Sequence, residues 1–428
     1  MQNDKITLKD LSMFTAGGTG GVFALIDRTV TQGGRDALRK HINNPPPDHK
    51  ELTDTQDAVK FWAQNLQLWD SSVSNGTLVM LDKFFESADT AGAPPAGLGL
   101  VMNGMFQKLF NRQQYFFTRF SLTHLSDLLK GCTALVNIES GTGVPPLLAR
   151  ELGLMKKELE HRLVPKVLQV NKETKYAELA QVVYQARREM KGMVARLMAS
   201  YARLDAMQSM ARATVEHKWA FPLLLPEMPV RLEVKDLYHP LLHTPVAYNI
   251  SFDTSQNFLV LTGANMSGKT TFMRALGVGA LLAHLGMGVP AAELKISFME
   301  GIITNMHVED DIFKGESYFF AEVKRMKQTA EKLLQDKPHL VLMDELFKGT
   351  NVHDACECTK GVMEGLLCHK SHLMVLSTHL YEVAHQFSAL PEINFSYFVT
   401  NLADDGSYHF TYELKKGISD DRIGYRIL

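Results

Sequence analysis

Thr262-Gly263-Ala264-Asn265-Met266-Ser267-Gly268-Lys269-Thr270-Thr271 satisfies the phosphate-loop pattern in full, two glycines bracketing four residues and then Lys-Thr. Its setting agrees with that pattern. Phe258-Leu259-Val260-Leu261 before it is a buried-strand run, and an amphipathic helix begins near Thr270. Gly263 and Gly268 let the backbone wrap phosphate oxygens, and a helix amino terminus adds free N–H groups and a positive dipole end. Lys269 is placed to neutralise the β- and γ-phosphates of ATP, and Thr270 to offer its hydroxyl to Mg2+.

Downstream, Leu340-Val341-Leu342-Met343-Asp344-Glu345 reads as an apolar strand ending in two acids. Asp344 at the tip can hold a magnesium-bound water, and Glu345 can orient or deprotonate an attacking water. Ser377-Thr378-His379 closes a third run, Leu373-Met374-Val375-Leu376. Two roles stand open for it: His379 donates to a γ-phosphate, or the triplet simply finishes a strand. Continuous apolar strands alternating with helical patterns predict a largely parallel, buried sheet. Its domain begins near residue 228, after Phe221-Pro222 and the turn to Pro229.

Upstream the texture is helical, broken by Asn43-Asn44-Pro45-Pro46-Pro47-Asp48, by residues 91–99 and by residues 141–146. The clearest helix is predicted from Lys175 to His217. Met190, Met193, Leu197, Tyr201, Leu204, Met207 and Ala211 recur along it as one apolar stripe, read as core. Arg187, Arg188, Lys191, Arg196 and Arg203 lie on its other faces, as a solvated surface or as a phosphate-contacting one.

With 428 residues, 45% hydrophobic and 21% charged, the chain is globular and long enough to bury large cores. A formal charge of −2 excludes a uniformly basic nucleic-acid binder but not a local basic face. Cys132, Cys356, Cys358 and Cys368 form no paired framework and read as reduced thiols. No signal peptide or membrane span is legible, so the expectation is a soluble, cytoplasmic protein with no membrane partner.

The stretch from Thr262 to Arg274 closely resembles the MutS family of DNA mismatch-repair ATPases, particularly in Asn265-Met266 and Phe272-Met273-Arg274. Gly288-Val289-Pro290-Ala291 looks like its continuation. Asp344-Glu345-Leu346-Phe347-Lys348-Gly349-Thr350-Asn351 and Ser377-Thr378-His379 resemble two further family segments. Leu25 to Thr31, Leu204-Asp205, His239-Pro240 and Gly417-Ile418-Ser419 extend the resemblance along most of the chain.

The resemblance implies an all-helical core and lever domain over residues 1–227, followed by an ABC-like P-loop NTPase domain over residues 228–428, an α plus α/β architecture. Any DNA clamp would be a reduced one between residues 145 and 195. The core opens near residue 1, so the family's mismatch-reading domain is expected to be missing. Nucleotide would bind through Gly263, Ala264, Asn265, Met266, Ser267, Gly268, Lys269, Thr270 and Thr271, with magnesium on Thr270 and Asp344. Glu345, Lys269 and His379 would act in hydrolysis. Ser317 matches the residue that touches the γ-phosphate of an opposing subunit, although Glu316 and Tyr318 depart from the family pattern. Tyr412 falls where an adenine-stacking ring is often placed, with Tyr248 nearby. The implied function is ATP hydrolysis at the interface of a homodimer, or of a dimer with a related subunit, gating a clamp on mismatched or branched double-stranded DNA. The alternative is a regulatory or scaffold ATPase that grips a protein partner.

Overall fold

The computed structural model describes residues 4–15, 20–70, 72–86, 112–171, 173–306, 318–335, 337–402 and 408–419. The chain divides into two compact units that do not follow a single cut in the sequence. One gathers Met1–Ile26, His41–Gln56 and Ala213–Leu428; the other gathers Asp27–Lys40 and Asp57–Arg212. Among the described residues no helix is long and apolar enough to cross a membrane.

The first unit is built on a six-stranded sheet with strands β4 (Phe258–Thr262), β6 (Gly301–Asn305), β7 (His339–Asp344), β8 (Leu373–Ser377), β9 (Ile393–Leu402) and β10 (Tyr408–Lys416). Their order is β10-β9-β4-β8-β7-β6, parallel throughout except for the antiparallel β9–β10 edge. Every residue of β4, β7 and β8 is buried, which is why they read as unbroken apolar runs rather than alternating ones. Val260, Val341, Met343, Met374 and Leu376 join one core cluster with residues of the helices Tyr318–Leu333, Val352–Leu366 and Tyr381–Gln386. Leu342, of opposite parity, meets the helix Lys269–His284. Gly277 makes that approach possible: a Cβ there would stand 2.9 Å from Leu342 Cδ1 and 2.4 Å from Leu11 Cδ2.

A second sheet of four strands was not legible as such. Its strands are β1 (Leu223–Leu225), β2 (Leu232–Leu237), β3 (Tyr248–Phe252) and β5 (Glu293–Ser297), in the order β1-β5-β2-β3. The amino-terminal helix Lys5–Asp10 packs in this same unit, with Thr7 Oγ1 donating to Ile302 O (3.3 Å) and Thr304 Oγ1 donating to Asp10 Oδ2 (2.6 Å).

His284 ends the helix Lys269–His284 wholly buried. Its Nε2 accepts the Met299 N–H (2.9 Å), so Nδ1 carries the proton and donates to Ala280 O (2.8 Å). Burial pushes its pKa down from 6.5 to about 4. The folded state holds the ring neutral while the unfolded chain protonates it, so stability is present above pH 6.5 and is lost as pH falls toward 4. The expected loss across that window is roughly 2 to 3 kcal/mol. Thermal melts from pH 7 to 4 should therefore fall more steeply for wild type than for His284→Gln; parallel slopes would remove the assignment.

The described elements of the second unit are all helical. The predicted long helix is two, Tyr176–Glu189 and Lys191–Glu216, interrupted only at Met190. The hydrogen-bond ladder nonetheless passes through the break, from Met190 N to Ala186 O (2.9 Å) and from Val194 N to Met190 O (2.8 Å). Gly192, a poor helix former, follows at once. The methionine stripe is core: Met190, Met193, Leu197, Tyr201, Leu204 and Ala211 are buried, and Met207 is half-buried. Asp205 is also fully buried and accepts from Val30 N (3.0 Å), Thr31 N (2.9 Å) and Thr31 Oγ1 (2.7 Å).

Candidate phosphate-binding site

The phosphate loop leaves β4 at the carboxyl end of the sheet and turns into the helix Lys269–His284. Gly263 and Gly268 take φ of +137° and +110°, in the region that favours glycine, and Met266 takes +68° at the exposed tip. Lys269 is 5% exposed. Its ammonium donates to the carbonyls of Gly263 (2.8 Å) and Ala264 (2.9 Å) and lies 3.6 Å from Glu345 Oε1. Burial lowers its pKa, opposed by Glu345 and Asp344. Ser267 Oγ is buried with no hydrogen-bond partner among the described residues.

Sheet register brings the acids to this loop. Asp344 pairs with Ser377 across β7 and β8, and Ser377 with Leu261 across β8 and β4. Thr270 Oγ1 donates to Asp344 Oδ2 (2.6 Å), and Ser377 Oγ donates to Asp344 Oδ1. Two hard oxygens, a hydroxyl and a carboxylate, thus meet at the helix amino terminus, the donor set that suits magnesium. The unsatisfied Ser267 hydroxyl, the positive-φ glycines and the buried ammonium fit a phosphate chain beside it.

Glu345 begins the turn after β7 with φ +51°, its N–H donating to Ser377 O (2.9 Å). Its carboxylate faces His379 Nδ1 at 3.8 Å and Lys348 Nζ at 3.2 Å. The imidazole, then the Lys348 and Lys269 ammonium groups, hold its pKa down at about 2 against the upward pull of burial. The Ser377-Thr378-His379 triplet does more than one thing. Thr378 finishes the strand, donating its N–H to Leu261 O (2.9 Å) and accepting Leu380 N–H on Oγ1 (3.0 Å). Ser377 holds Asp344, and His379 looks toward Glu345.

Asn265 is exposed on the loop and Thr271 half-buried on the first helical turn. Tyr412 sits in an irregular stretch of β10, between Phe410 and Leu414, with φ +57° and 43% exposure. Its ring lies against the loop: a Cβ on Gly268 would stand 3.2 Å from Tyr412 Cδ1. Tyr248 is instead a core residue, edge-on to Phe272 (5.2 Å) and Phe398 (5.9 Å). Ser317 and Glu316 lie outside the described residues. Among the described residues no group of three His, Cys, Asp or Glu side chains could hold a metal, and Cys132, Cys356, Cys358 and Cys368 are free thiols. Sequence reasoning passed over Ser377 and Lys348 as individual contacts, although both stood inside segments it had singled out. It also missed Glu322, discussed below, for which no local pattern pointed the way.

The basic side chains of the second unit are largely engaged. Arg187 stacks over the Phe84 ring at 4.6 Å, and Arg188 over Tyr184 at 5.4 Å. Arg196 bonds Glu158 through two nitrogens (2.6 and 2.9 Å), and Arg203 bonds Glu151 (2.8 Å).

Comparison with known proteins agrees with the geometry. The profile of MutS domain V matches residues 259–428. The DNA mismatch repair protein MutS of Chloroflexus aurantiacus is 30% identical over 238 residues, 54% of this chain and 24% of that protein. DNA mismatch repair protein spellchecker 1 of Drosophila melanogaster is 27% identical over 234 residues, 53% of this chain and 25% of that protein. Human MutS protein homolog 4 is 29% identical over 229 residues, 51% and 24% of the two chains. The match thus spans about a quarter of the length of these relatives. The phosphate loop, Asp344, Glu345 and His379 all fall within residues 259–428, and this stretch of the chain belongs with MutS domain V.

Proposed function

We propose that this chain is a MutS-like ATPase whose ABC-like domain V binds and hydrolyses ATP at the interface of a homodimer, or of a dimer with a related subunit, to gate its hold on DNA in mismatch repair or a related maintenance process. The observation that carries this reading is the convergence of Lys269, Thr270, Asp344 and Glu345 at the ends of β4 and β7. Lys269 supplies positive charge to the phosphates. Thr270 and Asp344 would hold magnesium, which would supply charge to offset that of the phosphate oxygens. Glu345, ionised at any pH well above about 2, accepts a hydrogen bond from the attacking water. So low a pKa makes it a poor proton acceptor, so its main contribution is orientation. Tyr412 offers a ring beside the loop, and Ser317 would complete the site from the opposing subunit.

The relatives named for mismatch repair support the DNA reading. One observation favours the second reading, an ATPase working on a protein partner: Arg187, Arg188, Arg196 and Arg203 are stacked or paired within their own unit rather than held free for phosphates. Fluorescence anisotropy separates the two, using matched duplex, mismatched duplex and a four-way junction, each with ADP and with a non-hydrolysable ATP analogue. The expected result is nucleotide-dependent binding that weakens steeply with salt. No binding at low salt would sink the DNA reading and leave the protein-partner one.

A further inference from the structure

We propose that Glu322 is a positioning residue: its carboxylate holds residues 347–349 in the shape that presents Glu345, tying that turn to the helix Tyr318–Leu333. This rests on the role assigned above to Glu345. Glu322 lies in the second turn of the helix and is 5% exposed. Its Oε1 accepts the N–H groups of Phe347 (3.0 Å) and Lys348 (3.4 Å), and its Oε2 accepts that of Gly349 (3.4 Å). Three successive amides converging on one anion form a backbone nest, with the carboxylate as its built-in ligand.

The turn needs such a clamp. Glu345 and Phe347 both take positive φ, +51° and +62°, conformations that a residue with a side chain adopts only at a cost. They persist where surrounding contacts over-determine them. At one end the Glu345 N–H is fixed on Ser377 O (2.9 Å). At the other end stands Glu322, while the buried Phe347 ring packs 5.9 Å from Phe319 on the same helix. Burying a carboxylate is costly, and burial raises the pKa of Glu322 against the pull of the three amides and Lys348. An apolar side chain would fill the space at less cost, so the carboxylate is explained by what it holds. Lys348 shares in the arrangement, since its N–H is bound by Glu322 and its ammonium lies 3.2 Å from Glu345 Oε2. A cavity of about 10 Å³, room for about one water, lies between Glu322 and Asp344, lined also by Asn305, Arg325 and Leu346. Movement of the helix therefore reaches the turn after Glu345 through the Glu322 carboxylate as well as through the Phe319–Phe347 contact.

The test compares wild type, Glu322→Ala and Glu322→Gln, which keeps one acceptor oxygen. Amide hydrogen exchange judges the contact without reference to catalysis. In Glu322→Ala, exchange at residues 347–349 should rise at least about tenfold while β7 and β8 stay protected. ATP turnover should fall about 10- to 100-fold with KM changed less than about twofold, and Glu322→Gln should recover most of it. Unchanged exchange at 347–349 overturns the proposal. So does a loss of protection spread evenly over the sheet with Glu322→Gln as impaired as Glu322→Ala, which would mark plain packing. Wild type without ATP turnover would overturn the ATPase reading instead, and the exchange comparison would then judge Glu322 alone.

Discussion

Glu345→Gln is expected to keep nucleotide and lose turnover, with kcat falling about 10²- to 10³-fold, or about 3 to 4 kcal/mol of barrier. The substitution preserves shape, and the backbone bond from Glu345 N to Ser377 O is untouched. What disappears is the negative charge faced by the His379 imidazole at 3.8 Å and by the ammonium groups of Lys348 at 3.2 Å and Lys269 at 3.6 Å. A neutral amide can still face a water, but it holds it less strongly and offers an N–H where an acceptor is needed. Binding should be retained or tightened, because Lys269 no longer shares its ammonium with a carboxylate. Equilibrium binding of a fluorescent ATP analogue together with single-turnover phosphate release separates the two effects. Undiminished turnover would remove Glu345 from the mechanism. The same site predicts a flat rate between pH 5 and 8 as far as Glu345 is concerned, since a carboxylate with a pKa of about 2 is ionised throughout.

What the sequence made legible follows from what hydrophobic pattern and motif spacing report. Runs such as Leu340-Val341-Leu342-Met343 announce strands buried on both faces, and all of these residues are buried. The phosphate loop and the Asp344-Glu345 pair carry their chemistry in the motif itself, and the sheet brings them together as Thr270 on Asp344 and Lys269 near Glu345. Pattern says nothing of partners distant in sequence. Thr7 with Ile302 and Gln56 with Pro222 are contacts of that kind; they draw Met1–Ile26 and His41–Gln56 into the unit of the large sheet. Glu322 is one of two acids in a charged helix, and its three amide partners lie 25 to 27 residues away in the chain, so neither period nor spacing marks it. The arginines near Arg187 show the opposite failure. A run of positive charge is visible in sequence, but the rings beneath Arg187 and Arg188 and the carboxylates facing Arg196 and Arg203 are not.

The largest stability effect is expected away from the nucleotide site, at Asp205. Asp205→Ala removes the acceptor of Val30 N, Thr31 N and Thr31 Oγ1 in a site with no solvent exposure. Each buried donor left unmade costs about 1 to 3 kcal/mol, and the three share one relaxation, so about 3 to 5 kcal/mol is expected for the helical unit. Asp205→Asn should recover only part of this, because its amide nitrogen must face a donor. The packing is tight as well as polar: a Cβ on Gly34 would stand 2.1 Å from Asp205 Oδ2, so Gly34→Ala displaces the same carboxylate. Burial is the largest influence on the Asp205 pKa and raises it above 3.8, with the three donors opposing. The folded state then binds the proton more readily than the unfolded chain, so the stability Asp205 contributes is fullest below pH 3.8 and declines as pH rises through its folded pKa. The deficit of Asp205→Ala should accordingly narrow from acid toward neutral pH and stay large at pH 7, where the donors still lack a partner. Urea unfolding at several pH values reads both features. An Asp205→Ala protein within about 0.5 kcal/mol of wild type would mean that the amides of Val30 and Thr31 find other acceptors, and that this carboxylate does not hold the start of the unit in place.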